Sequence, residues 1–173
     1  FMEGGWKIKR MHKLIMLSST YQLGSSTTES GVEKDPANRL IWRFNPRRLS
    51  SEEVRDSILA ANGSLNLKMG GPSFYPIIPR EVLQGQSRPG AGWGNSPEEE
   101  RARRAVYIFV KRSLVEPLMA DFDFADVDSS CPVRFTTTQP TQSLQLLNSE
   151  FANRQAGKFS QFLKQQAPDD LNA

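Results

Sequence analysis

A chain of 173 residues is long enough for one domain with its own core, because roughly two-thirds of the unfolded surface can be buried at this size. With 38% hydrophobic and 24% charged residues it does not have the composition of a disordered polyelectrolyte. Its 22 basic and 19 acidic residues are spread along the sequence and leave a formal charge of only +3, which argues against a nucleic-acid interface.

Residues 6–21, "WKIKRMHKLIMLSSTY", predict an amphipathic helix, with Ile8, Met11 and Ile15 on the apolar side and Lys7, Lys9, Arg10 and Lys13 in water. The run "LIML" within it, at 14–17, is far too short to span a bilayer. A polar, turn-rich loop follows at 24–36. In "RRLSSEEVRDSILAANG", Ser50 and Glu53 form a capping box, Leu49 and Val54 sit at the staple positions, and Asn62-Gly63 supplies a stop. Val54, Ile58 and Ala61 are the expected inner face of that helix.

Residues 63–97 are rich in glycine and proline and are expected to form a long loop or arm within the domain. A helix start at "SPEE" then leads into the apolar run Ala105–Val110, whose β-branched and aromatic residues argue for a buried strand. Leu144, Leu147, Phe151, Phe159 and Leu163 recur at helical spacing after Pro140 and predict a long final helix.

Residue chemistry narrows the functional classes. Cys131 is the single cysteine, which excludes an internal disulfide framework and any multi-cysteine metal site, and it reads as a buried structural thiol. Asp121, Asp123, Asp126 and Asp128 could offer oxygens to a cation. They lack the turn glycine and final glutamate of a calcium loop, however, and alternate with Phe122 and Phe124 as a half-buried segment does, so no metal is assigned. His12 lies among lysines with no spaced partner, so no catalytic residue is assigned. Phe74, Tyr75 and Trp93, on the glycine-rich loop, are the candidate ligand-binding residues, since loop aromatics can stack on sugars or fill a partner's pocket; the alternative is that they fold back over the core.

Several blocks in fixed order, "GWKIKRMHKLIMLSSTYQ", "DPANRLIWRFNPRRLSSEEVRDSILAANGSLN", "RRAVYIFVKR" and "FDFADVDSSCPVRFTTTQPTQSLQLLN", together resemble a planctomycete-specific domain of unknown function. The resemblance runs from about Gly5 to Ala156 and is weakest over the 64–97 loop. It implies the C-terminal part of a large extracytoplasmic or cell-surface protein, often with a cytochrome c-like module elsewhere in the chain. It carries no catalytic residue, and no cofactor is expected in these residues. The matching positions interleave arginines, acids and large apolar groups, which suits ion pairs that hold helices in register. Arg48, Arg55 or Arg134 paired with Glu53, Asp56 or Asp123 would serve this purpose.

The expectation is a mainly helical single domain over 1–173, the C-terminal fragment of a larger protein, with long Gly/Pro-rich loops and a few short strands. Its expected core is Trp6, Ile15, Trp42, Val54, Ile58, Val106, Ile108, Phe122, Leu144, Leu147 and Phe151. The expected role is a non-catalytic structural or binding module that contacts other domains of its parent, a polysaccharide or a protein partner. The alternatives are a carbohydrate-active module using carboxylates and a docking partner of a cytochrome c-like module.

Overall fold

Short helices joined by long, side-chain-pinned loops make up this protein. The structure, a computed structural model, describes residues 1–167. Their order is α1 (Ile8–Met16), α2 (Glu29–Lys34), α3 (Ser51–Ala61), α4 (Arg80–Gln84), α5 (Glu98–Arg101), a single 3-10 turn (Ala105–Tyr107), α6 (Pro117–Asp121), α7 (Pro140–Asn148) and α8 (Glu150–Gln166). The class is mainly helical, and strand pairing among the described residues is limited to isolated bridges. The chain forms two compact units, Phe1–Arg48 and a second beginning at Leu49.

In the first unit, the buried residues are polar. Asp35 and Asn38 organise the loop after α2. The Asp35 carboxylate accepts the Leu40 N–H at 2.7 Å, and the Asp35 carbonyl accepts the Trp42 indole N–H at 2.9 Å. The Asn38 side-chain oxygen accepts the N–H groups of Trp42 and Arg43, while its amide donates to the Arg43 carbonyl and to Asn45. These bonds hold Asn38 and Ile41 at φ +53° and +54°. Asparagine tolerates this region, whereas a β-branched residue is strained there by about 1–3 kcal/mol. Trp42 lies against Gly31 of α2, where an added Cβ would stand 2.7 Å from the indole ring. The expected core residues Trp6 and Ile15 are both exposed, and Trp42 is half-buried.

In the second unit, α3 starts as its sequence requires. Ser50 Oγ accepts the Glu53 N–H, and the Glu53 carboxylate accepts the Ser50 N–H at 2.8 Å. The buried side of α3 is Ser51, Arg55 and Leu59, one position round from the expected face; Val54 and Ile58 are half-buried and Ala61 is exposed. The helix turns because Arg55 has internal partners that Val54 cannot supply. Gly63 closes the helix at φ +71°, and any Cβ there would come 3.2 Å from the Phe162 ring of α8.

The expected strand at 105–110 is a 3-10 turn followed by a single parallel bridge between Phe74 and Ile108. Phe74 donates to the Tyr107 carbonyl and accepts from the Phe109 N–H. Its neighbours along the same edge are Pro72 and Pro76, which have no N–H to continue a ladder. The sheet therefore stops after one residue. Val106 faces solvent, and the core closes on Leu59, Phe74, Ile78, Ala105, Ile108, Leu114, Leu118, Met119 and Phe122.

The expected long final helix is two helices. Ser149, in extended conformation, ends α7 and caps α8 by accepting the Ala152 N–H. Leu144 and Leu147 are exposed, while Gln142 is buried and donates to the carbonyls of Asp121 and Thr137. On α8 the inward side runs through Phe151, Gln155, Lys158 and Phe162, so Phe159 and Leu163 stay exposed.

Asn38→Ala removes both the acceptor for two loop N–H groups and the donor to the Arg43 carbonyl. It should cost the first unit about 2 kcal/mol. Hydrogen exchange at the Trp42 and Arg43 amides is the check: protection should fall, and unchanged protection would refute this role.

Candidate functional site

The concave feature with the richest chemistry in the second unit is a cleft of about 400 Å³ between α3, the 76–82 segment leading into α4, α5, the start of α6, and α7–α8. Its floor is aliphatic, formed by Leu59, Pro76, Ile77, Pro79, Val82 and Pro117, and Arg55 and Phe151 line it beside these.

Arg55 sets the geometry. Its guanidinium carbon lies 5.0 Å from the Phe74 ring centroid and 5.5 Å from that of Phe151, between two aromatic faces whose quadrupoles favour a cation. The fork donates to the Arg103 carbonyl at 2.9 Å and to the Arg101 carbonyl at 2.5 Å. One side chain of α3 thus fixes the chain as it leaves α5, satisfying carbonyls no helix ladder serves. Burial draws Arg55 below its ordinary guanidinium value, and the charges of Glu116 and Asp56 oppose that shift.

Arg103 repeats the device on the long loop. It is fully buried, donates to the Gly70 and Pro72 carbonyls at 2.5 and 3.0 Å, pairs with Glu100 at 3.0 Å, and lies 4.0 Å from the Tyr107 ring centroid. The Tyr107 hydroxyl in turn accepts the Gly70 N–H. The glycine- and proline-rich segment is therefore tied down at Gly70, Pro72 and Phe74. It is tied again at Tyr75, whose N–H reaches Ser96 Oγ, and at Ala91, whose carbonyl accepts from Lys111.

Glu116 is the buried acid of the cleft. One of its oxygens accepts the Met119 N–H at 2.9 Å, capping α6. Burial raises its pKa above the ordinary 4.5, against the pull of that hydrogen bond and of Arg55. On the exposed rim Glu98 pairs with Lys158 at 2.5 Å and Glu150 with Arg154; Glu81 lines the cleft as well. Asn62 bonds Gln155 at 2.8 Å and ties α3 to α8.

The residues selected from the sequence fall into separate places. Phe74 is in the core, only 1% exposed, so its ring is closed to ligand. Tyr75 and Trp93 are half-buried and pack with each other at 5.8 Å and with Phe109 at 4.5 and 5.6 Å between ring centroids, and the Trp93 indole N–H donates to the Pro76 carbonyl. Glu53 completes the cap of α3. Asp56 accepts the Ala105 N–H at 2.7 Å and stands 3.9 Å from Arg55. Asp123, at φ +58°, accepts the Thr137 N–H and hydroxyl, both at 2.8 Å. Arg48 is half-buried.

Arg134 reaches Glu52 and binds it at two points, 2.6 Å each, which lowers the Glu52 pKa. Asp126 and Asp128 go to Ser129 and Arg112. Cys131 is exposed, not buried, because the Cys-Pro-Val turn carries it at the surface; its thiol donates to the Val133 carbonyl. Sequence reasoning missed Glu52, Arg103 and Glu116. Glu116 had a local signal, an acid immediately before Pro117 at a helix start; Arg103, one of three arginines in Arg101-Ala102-Arg103-Arg104, had none.

These features define a mainly helical module in which buried arginines, rather than a sheet or a helix bundle, hold the loops. The chain belongs to the PSD1 family, described as protein of unknown function (DUF1553), whose family model matches residues 1–172. No curated protein and no solved structure matches it.

Arg55→Met leaves the carbonyls of residues 101 and 103 without donors in the interior and should destabilise the second unit by about 3–5 kcal/mol in urea unfolding. Arg55→Lys should recover little, since an ammonium lacks the two-pronged fork. Glu116 binds its proton more tightly folded than unfolded. The associated stability is full below the ordinary glutamate value and is lost as pH rises through the raised one. Glu116→Gln keeps an acceptor for Met119 and removes this dependence. Its stability relative to the native protein should therefore increase from acid towards neutral pH, and a pH-independent difference would refute the assignment.

Proposed function

We propose that the chain is a non-catalytic structural and binding module of a larger extracytoplasmic protein, and that its cleft receives a polypeptide segment from a neighbouring domain of the parent. The observation that carries this reading is how the charges around the cleft are used. Arg55 is engaged with two carbonyls, Glu116 with the start of α6, and Glu98 and Glu150 with Lys158 and Arg154, while Glu81 also lines the cleft. What the cleft offers an occupant is its aliphatic floor, and a floor of prolines, leucine, isoleucine and valine suits aliphatic or proline side chains. Sugar rings call for an open aromatic face; Phe74 is buried, and Arg55 lies over the Phe151 ring. The planctomycete setting and a cytochrome c-like module in the parent enter on resemblance and supply one candidate neighbour.

A second reading, a carbohydrate-active module, draws on Glu116, whose burial and raised pKa suit a general acid. Its capping bond to Met119 fits a structural acid better.

Peptides tiled across the remainder of the parent polypeptide, titrated into this module, test the proposal. At least one should bind, and Val82→Glu, a change at an exposed floor position, should weaken it at least about tenfold without altering the fold. Failure of every peptide, or glycoside hydrolysis that Glu116→Gln abolishes, would instead favour the enzymatic reading.

A further inference from the structure

Helix α1 presents a second surface, separate from the cleft and contained in the first unit. Its N-cap position, Lys7, supplies no side-chain cap, and no residue of the helix is buried. Ile8, Leu14 and Leu17 are each more than 60% exposed. Lys7, Arg10, Met11, Lys13, Leu14, Leu17 and Ser18 line a groove of about 820 Å³ that the 1–4 turn helps to wall. Met11, Leu14 and Leu17 recur every three residues and form an apolar stripe along the groove. Lys7, Arg10 and Lys13 lie beside that stripe. Glu3, in the 1–4 turn, is the one acid among the residues lining the groove, against the three cations Lys7, Arg10 and Lys13, and the sequence has no further acid before Glu29.

We infer that this groove binds an acidic amphipathic helix, with apolar side chains on the Met11–Leu14–Leu17 stripe and carboxylates on Lys7, Arg10 and Lys13. Charge decides among the occupants. A second copy of the chain would bring the same cations face to face, which is repulsive. A bilayer would meet a helix of nine residues, about 14 Å long, too short for firm interfacial anchoring. It would also present a flat surface to a concave one. A helix is convex, and its side chains at i, i+3, i+4 and i+7 match a groove of this kind. This inference goes beyond the proposed function of the cleft and involves none of its residues.

The test uses three synthetic 16-residue peptides and the intact chain. One peptide carries leucines on a single helical face flanked by glutamates, the second replaces the glutamates with lysines, and the third scrambles the first. The acidic amphipathic peptide should bind with Kd below about 100 μM and weaken several-fold between about 50 and 300 mM salt. Leu14→Asp and Arg10→Glu, both at exposed positions, should each weaken it at least about tenfold while the circular dichroism spectrum is unchanged. Val82→Glu should leave it unaffected, which separates this surface from the cleft. Equal binding of the lysine or scrambled peptide, no binding at about 1 mM, or preferential binding to vesicles containing anionic lipid would overturn the inference.

Discussion

The guanidinium of Arg55, buried between two phenyl rings and bonded to two backbone carbonyls, is the interaction on which the second unit depends. A charged group inside a protein is costly unless every donor is matched. Here the partners come from distant parts of the chain: Phe74 from the long loop, Phe151 from α8, and the carbonyls from the exit of α5. Desolvating Arg55 therefore requires all of them to be in place together, and the unit is cooperative around that requirement. Arg103 does the same for Gly70 and Pro72. Two arginines on facing segments replace the hydrogen bonds that a sheet would otherwise provide.

This mode of construction explains why the apolar core is small and why the loops are ordered. Pro72 and Pro76 prevent a strand from extending past Phe74, yet their carbonyls stay available and are taken by Arg103 and the Trp93 indole. Gln142 likewise serves the carbonyls of Asp121 and Thr137 where a helix bundle would have placed a leucine. The functional reading follows from the same use of charge. Arg55, Glu116, Glu98 and Glu150 at the cleft are tied to backbone or to neighbouring charges, which leaves a largely hydrocarbon floor as its recognition surface. On α1 the arrangement is reversed, with cations beside an exposed apolar groove.

Much of the local structure was legible. The Ser50–Glu53 capping box, the Asn62-Gly63 stop and the helix start at Pro140 form as read, because each depends on residues within one turn of one another. The helical pattern of α1 was legible for the same reason. The errors share a cause. Helical spacing points Leu144 and Leu147 inward and residue type does the same for Val106, yet they lie outside because Gln142 and Arg103 occupy the interior. Periodicity counts carbon; it does not register an unpaired carbonyl elsewhere in the chain that a polar side chain must reach.

The sequence by itself determined the helical class, the capping box that opens α3, the Asn62-Gly63 stop and the helix start at Pro140. These follow from capping chemistry, glycine's conformational freedom and residue type, all of which act over a few residues. Only the tertiary structure decided which partners the charges meet: Arg134 with Glu52, Arg55 with the carbonyls of residues 101 and 103, and Glu116 buried among the residues that line a cleft. Such partners lie tens of residues apart, and their pairing depends on burial, which exists only once the chain has closed around them.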